Sequence, residues 1–128
     1  MDAIYPNKQC ADVYTSFATL LKEYETADPA KGKYEIKENN SGDYIWAMRT
    51  SATLVKFHDD VLFEFAQIGL DCSVTAKSNS RATCYYDYHT NYCNLYNVLA
   101  HADPTVTSMM TDVCKWVPKN PAKRCTEY

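Results

Sequence analysis

The stretch Val55-Lys56-Phe57-His58-Asp59-Asp60-Val61-Leu62-Phe63-Glu64-Phe65 decides the fold. Its apolar residues at 55, 57, 61, 63 and 65 keep one parity, the two-residue period of a strand with one buried face, and the position between them in that series is Asp59. Asp59 therefore marks a bulge, a bend or a site. Downstream, the segment from Gln67 to Asp71 contains Gly69 and turns the chain into another strand from Cys72, with Val74 and Ala76 inward. Upstream, Tyr34 and Ile36 precede a turn at Asn39 to Gly42, after which Tyr44, Trp46 and Met48 alternate with Ile45, Ala47 and Arg49. Four strands in succession through short turns predict an antiparallel sheet.

The flanking segments change period. Val13, Phe17, Leu20, Leu21 and Tyr24 line one face of a helix that ends near Asp28-Pro29. Tyr88, Tyr92, Leu95, Tyr96 and Leu99 repeat at helical spacing through His101. Asp103-Pro104 has the cap and first-position residues of a further helix, with Val106, Met109, Met110, Val113 and Val117 as its stripe until Pro118. The expectation is one α+β domain over residues 1–128: a four-stranded, mostly antiparallel sheet with N-terminal and C-terminal helices packed on one face, disulfide-stapled.

Composition limits the function classes. With 46% hydrophobic residues in 128, the chain suits a single core, and a net charge of −3 with scattered Lys and Arg lacks the basic stripe that nucleic acid requires. No apolar run is long enough for a transmembrane segment. The six cysteines, Cys10, Cys72, Cys84, Cys93, Cys114 and Cys125, are even in number, scattered and free of C-x-x-C spacing, which points to disulfides. The compartment expected is oxidising: secreted, or an organelle or periplasmic lumen. No signal or transit peptide is visible ahead of Cys10, so the chain reads as a mature one. The pairing stays open; the least costly guess joins Cys114 to Cys125, because the intervening Pro118 and Pro121 exclude a helix and the tail must fold back. Asn39-Asn40-Ser41 forms a glycosylation sequon in a turn-like setting.

The polar cluster His58-Asp59-Asp60 could hold a metal or act as base and orienter. On a strand, however, His58 and Asp60 share a face that Asp59 does not, so only two ligands converge, and a hairpin bend with solvated or hydrogen-bonded acids is the better explanation of the cluster. Tyr85-Tyr86-Asp87-Tyr88-His89 concentrates aromatics of the kind that interfaces use; Tyr88, Tyr92 and Tyr96 fit a helix stripe, which leaves Tyr85 and Tyr86 as surface candidates. None of the motifs G-x-S-x-G, H-E-x-x-H, P-loop or G-x-G-x-x-G occurs. No cofactor or metal is expected.

From Arg49 to Leu99 the order of residues resembles a family of small proteins from bacteria and photosynthetic eukaryotes, catalogued as domain of unknown function 1499. Its Phe-x-Asp-Asp-Val-x-Phe element is matched by Phe57 to Phe63, its Ser-x-Ser-Arg by Ser78 to Arg81, and its Asp, Asn and Leu-rich helix by Asp87, Asn91 and Leu95. Pro6-Asn7 with Cys10 is similar to the family's Pro-Asn-Cys opening, with two residues inserted. Most of the cysteines, and Ala82 where the family places Gly, depart from the pattern. The resemblance implies an α+β fold and no established reaction. It also implies that Arg49, Asp60, Ser80, Arg81, Asp87 and Asn91 meet at one end of the sheet, either as a buried Arg–Asp network with Arg81 paired to Asp87, or as a site where Arg49 and Arg81 take a carboxylate or phosphate.

The leading functional expectation is a non-catalytic, disulfide-stapled binding module whose partner is a protein or a small amphipathic or anionic molecule, with Arg49, Arg81, Tyr85, Tyr86, Asp87 and Asn91 as ligand-binding candidates. Two alternatives stand beside it. One is an extrinsic lumenal subunit associated peripherally with a membrane complex of photosynthetic type. The other is a small hydrolase or lyase using His58 or His89 with a neighbouring aspartate.

Overall fold

The computed structural model describes residues 1–79, 90–110 and 117–127. In chain order the elements are β1 (Asp2–Tyr5), α1 (Cys10–Glu23), β2 (Lys33–Asn40), β3 (Tyr44–Thr50), β4 (His58–Ile68), β5 (Asp71–Asn79), α2 (Thr90–Ala102), β6 (Ser108–Met110) and α3 (Pro121–Arg124). The chain is α+β with an antiparallel sheet, as the alternation predicts, but the sheet has six strands rather than four, in the order β2-β3-β4-β5-β1-β6. Every pairing is antiparallel.

The two additional strands come from the ends. β1 is four residues long and pairs with β5 and β6, so its strand state is set by neighbours distant in sequence. The first part of the helix expected from Asp103-Pro104 is corrected, since residues 108–110 are strand β6 against β1, and the rest of its expected span, at residues 111–116, lies outside the described residues. Asp103 does cap a turn, its Oδ1 accepting from the Thr105 N–H and hydroxyl, but that turn leads into an extended segment because a sheet edge is available to pair. The proposed bulge or bend at Asp59 is also corrected, since Asp59 pairs with Arg49 in unbroken register. β4 starts at His58, and Val55 and Phe57 lie in the exposed loop before it.

Parity sorts the sheet into two faces. Ala3, Tyr5, Tyr34, Ile45, Ala47, Val61, Phe63, Phe65, Cys72, Val74 and Ala76 are buried beneath α1 and α2. α1 contributes Val13, Tyr14, Phe17 and Leu21, and Phe17 stands edge-on to Tyr5, Phe63 and Phe65 at 5.8, 5.3 and 5.1 Å between centroids. The β4–β5 hairpin turns in two residues at Gly69, whose φ of 59° a side chain disfavours.

Two disulfides fasten this layer arrangement: Cys10–Cys72 joins the start of α1 to β5, and Cys93–Cys125 joins α2 to the tail beyond α3. The Cys114–Cys125 guess is therefore corrected, and so is the exclusion of helix between Pro118 and Cys125: Pro121 sits at the first position of α3, where its missing N–H costs nothing, and Asn120 Oδ1 accepts from the Lys123 N–H. Cys84 and Cys114 lie outside the described residues; the four described cysteines are all bonded. Gln67 reinforces the first staple, its Oε1 accepting the Cys10 N–H at 2.8 Å while its Nε2 donates to the carbonyls of Lys8, Gly69 and Asp71.

Non-reducing peptide mapping is expected to recover the Cys10–Cys72 and Cys93–Cys125 peptides. Replacing Cys93 and Cys125 together by Ala should lower stability by about 2–4 kcal/mol. A map linking Cys125 to Cys114 would contradict this pairing.

Candidate functional site

Three residues that oppose one another directly across β2, β3 and β4, Tyr34, Arg49 and Asp59, form a polar row on the helix-covered face. Arg49 is the largest fully buried side chain among the described residues, 2% exposed. A guanidinium in such a place requires a partner. The partner comes from the α1–β2 loop: Asp28 Oδ2 accepts from Arg49 Nε at 2.6 Å. The loop is shaped for this contact, since Asp28 Oδ1 accepts the N–H groups of Ala30 and Gly32 at 2.8 and 2.9 Å. A Cβ at Gly32 would overlap the Arg49 guanidinium, so this glycine is needed for close approach. Burial by itself lowers the guanidinium's pKa, but the hydrogen bond to Asp28 and the fields of Tyr34, Asp28 and Asp59 outweigh it, so Arg49 stays charged, its pKa above the ordinary value.

The row continues into α2. Asp59 Oδ2 accepts from Asn94 Nδ2 at 2.9 Å; the same amide donates to Ser78 Oγ at 3.2 Å, and Ser78 donates to Asn91 Oδ1 at 2.9 Å. Asn94 is wholly buried and its Oδ1 accepts no hydrogen bond among the described residues. Three phenols fasten α2 to the layers beneath it: Tyr34 donates to the Asn94 carbonyl, Tyr24 to that of Asn97 and Tyr5 to that of Leu99, at 2.7, 3.2 and 2.7 Å. Desolvation raises the pKa of all three, that of Tyr24 to about 12.

Of the residues singled out from the sequence, Arg49, Asp59 and Asn91 belong to this cluster. Asp60 lies on the opposite face and accepts from Trp46 Nε1 at 3.2 Å; the acids of the cluster are Asp28 and Asp59. His58 is exposed beside Thr50, with 3.1 Å between Nδ1 and Oγ1. Ser80, Arg81, Tyr85, Tyr86, Asp87 and His89 lie outside the described residues, as does the expected Arg81–Asp87 pair. Asp28, Tyr34, Ser78 and Asn94 are not among the site candidates that the sequence offers. Asp59 and Tyr34 carry a visible signal, their parity with the buried series, whereas Asp28 reads only as a helix stop.

Elsewhere, an open groove of about 290 Å³ runs between α1 and the end of α2, lined by residues including Thr15, Thr19, Glu23 and His101. Among the described residues no three His, Cys, Asp or Glu side chains gather as metal ligands. Comparison with family models, with curated proteins and with solved structures finds no match to this chain.

Two tests follow from this geometry. Arg49→Met should cost about 3–5 kcal/mol in denaturant unfolding. Gly32→Ala should cost about 1–3 kcal/mol in the native background and much less beside Arg49→Met, because the clash is with the guanidinium itself; strict additivity would refute the contact. The tyrosines set the alkaline limit: a phenol whose pKa is raised by folding stabilises the native state below its unfolded value, about 10, and that contribution is lost as pH rises through the folded value. Ultraviolet titration should therefore show Tyr5, Tyr24 and Tyr34 ionising together with alkaline unfolding, and early ionisation in the folded protein would contradict their burial.

Proposed function

We propose that this protein is a non-catalytic binding module of an oxidising compartment that engages its partner through the β3–β4 loop end of the sheet. The disulfides suit an oxidising or extracellular setting, and among the described residues no helix is long and apolar enough to cross a membrane. The observation that carries the reading is a contrast in commitment. The charged group most suited to chemistry, Arg49, is sealed in the core on Asp28, whereas Leu54, Val55 and Phe57 are turned to solvent on one loop. Side chains of that size exposed together mark an interaction surface.

The small-anion form of the reading rests on Arg81, with Tyr85, Tyr86, Asp87 and Asn91 beside it, because the Nε of Arg49 is already engaged by Asp28. The hydrolase or lyase alternative gains nothing from His58, whose described neighbour is a threonine hydroxyl.

Native size-exclusion of an extract from the source cells tests the proposal. The chain should elute well above its own 14.6 kDa or with membranes. Leu54→Ser, Val55→Ser and Phe57→Ser combined should return it to monomer size, and His58→Ala should leave its elution unchanged. Elution of the unaltered protein as a free monomer would overturn the reading.

A further inference from the structure

We propose that the β3–β4 loop is a membrane-docking tip that seats on an anionic lipid surface; this deepens the binding-module reading and rests on it. The loop spans residues 51–57 between β3 and β4, and its tip is convex and apolar: Leu54 is 103% exposed, Val55 68% and Phe57 58%. A protein partner would have to supply a pocket for these three side chains. A bilayer interface needs none, since its acyl region admits any apolar projection.

Part of the loop's polar backbone is bonded within the loop, which lowers the cost of entering a lipid interface. The Ser51 N–H donates to the Phe57 carbonyl and the Phe57 N–H to Ser51 Oγ, both at 2.9 Å. The Thr53 hydroxyl donates to the Val55 carbonyl at 2.6 Å. The base of the loop is thus closed by hydroxyls, and the apolar side chains project beyond it.

Charge supplies the choice of lipid. Lys56 lies between Val55 and Phe57, and Lys33, at the start of β2, pairs in register with Thr50 at the end of β3, so Lys33 and the nearby Lys31 lie at the same end of the sheet. Segments 29–33 and 50–58 contain no acidic residue, and the acid just before the first of them, Asp28, is buried on Arg49. In a protein of net charge −3, this end gathers exposed lysines around an apolar tip. Another hairpin with exposed apolar residues, Ile68 and Leu70 at the far end of β4, is followed by Asp71, and the lysine beside it, Lys8, is paired with Asp103, which is why the tip at 51–57 is assigned the role. Lipid phosphates attract such lysines at short range.

Cosedimentation of the disulfide-intact protein with vesicles tests this. Vesicles of phosphatidylcholine and phosphatidylglycerol in equal parts should carry the protein down, and vesicles of phosphatidylcholine alone should bind it at least tenfold more weakly. The Leu54→Ser, Val55→Ser, Phe57→Ser variant, whose exposed positions leave the core intact, should lose about a hundredfold in partitioning, and Lys56→Glu about tenfold, each with unchanged thermal unfolding. Binding that is indifferent to these substitutions, or no binding to the anionic vesicles, would overturn the inference. If the native assembly survives detergent and contains a second protein held by the tip, lipid docking is likewise overturned while the binding-module reading stands.

Discussion

A guanidinium withdrawn from water must be met by a carboxylate, and meeting that demand at Arg49 organises much of this fold. The carboxylate is supplied by Asp28, which first gathers the N–H groups of Ala30 and Gly32 and thereby shapes the connection from α1 to β2. The absence of a side chain at Gly32 lets that connection lie against the guanidinium. Tyr34 and Asp59 flank Arg49 in register, and each reaches α2 through Asn94, one at its carbonyl and the other at its amide. One buried charge thus links the loop, three strands and the second helix.

The rest of the architecture follows from covering one face of a six-stranded sheet with α1 and α2. Phe17 of α1 fills the centre, and the phenols of Tyr5, Tyr24 and Tyr34 hold α2 by its carbonyls. Helices so attached could lift at their ends, and the staples are at the ends: Cys10 begins α1, and Cys93 near the start of α2 is tied to Cys125 in the tail. The opposite face carries cross-strand pairs such as Trp46 with Asp60 and Lys77 with Glu64, whose value at an exposed surface is small. Interior specificity therefore comes from polar contacts beneath the helices.

On the proposed function, this division separates stability from recognition. A core arginine closed on its acid has no charge to offer a ligand through Nε, whereas the loop after β3 holds large side chains that the fold does not use. That loop is compatible with the structure because Ser51 and Thr53 satisfy its turn locally. Substitutions at its tip are expected to change association without changing folding, the reverse of substitutions at Arg49 or Gly32.

The sequence by itself determined α1, the four central strands, their antiparallel succession and the inward parity of Val61, Phe63, Val74 and Ala76, because each is written in a local period of two or 3.6 residues. It also determined the oxidising chemistry of the cysteines, though not their partners. Only the tertiary structure decided that Asp2–Tyr5 and Ser108–Met110 are strands, since a short segment becomes β when a neighbour offers unpaired backbone, and the capped stretch after Asp103 yields to that opportunity. It alone decided that Cys125 joins Cys93 and that Asp28 answers Arg49, 21 residues away. Pairings of this kind depend on which groups the packed layers bring within reach, and no local period encodes that distance.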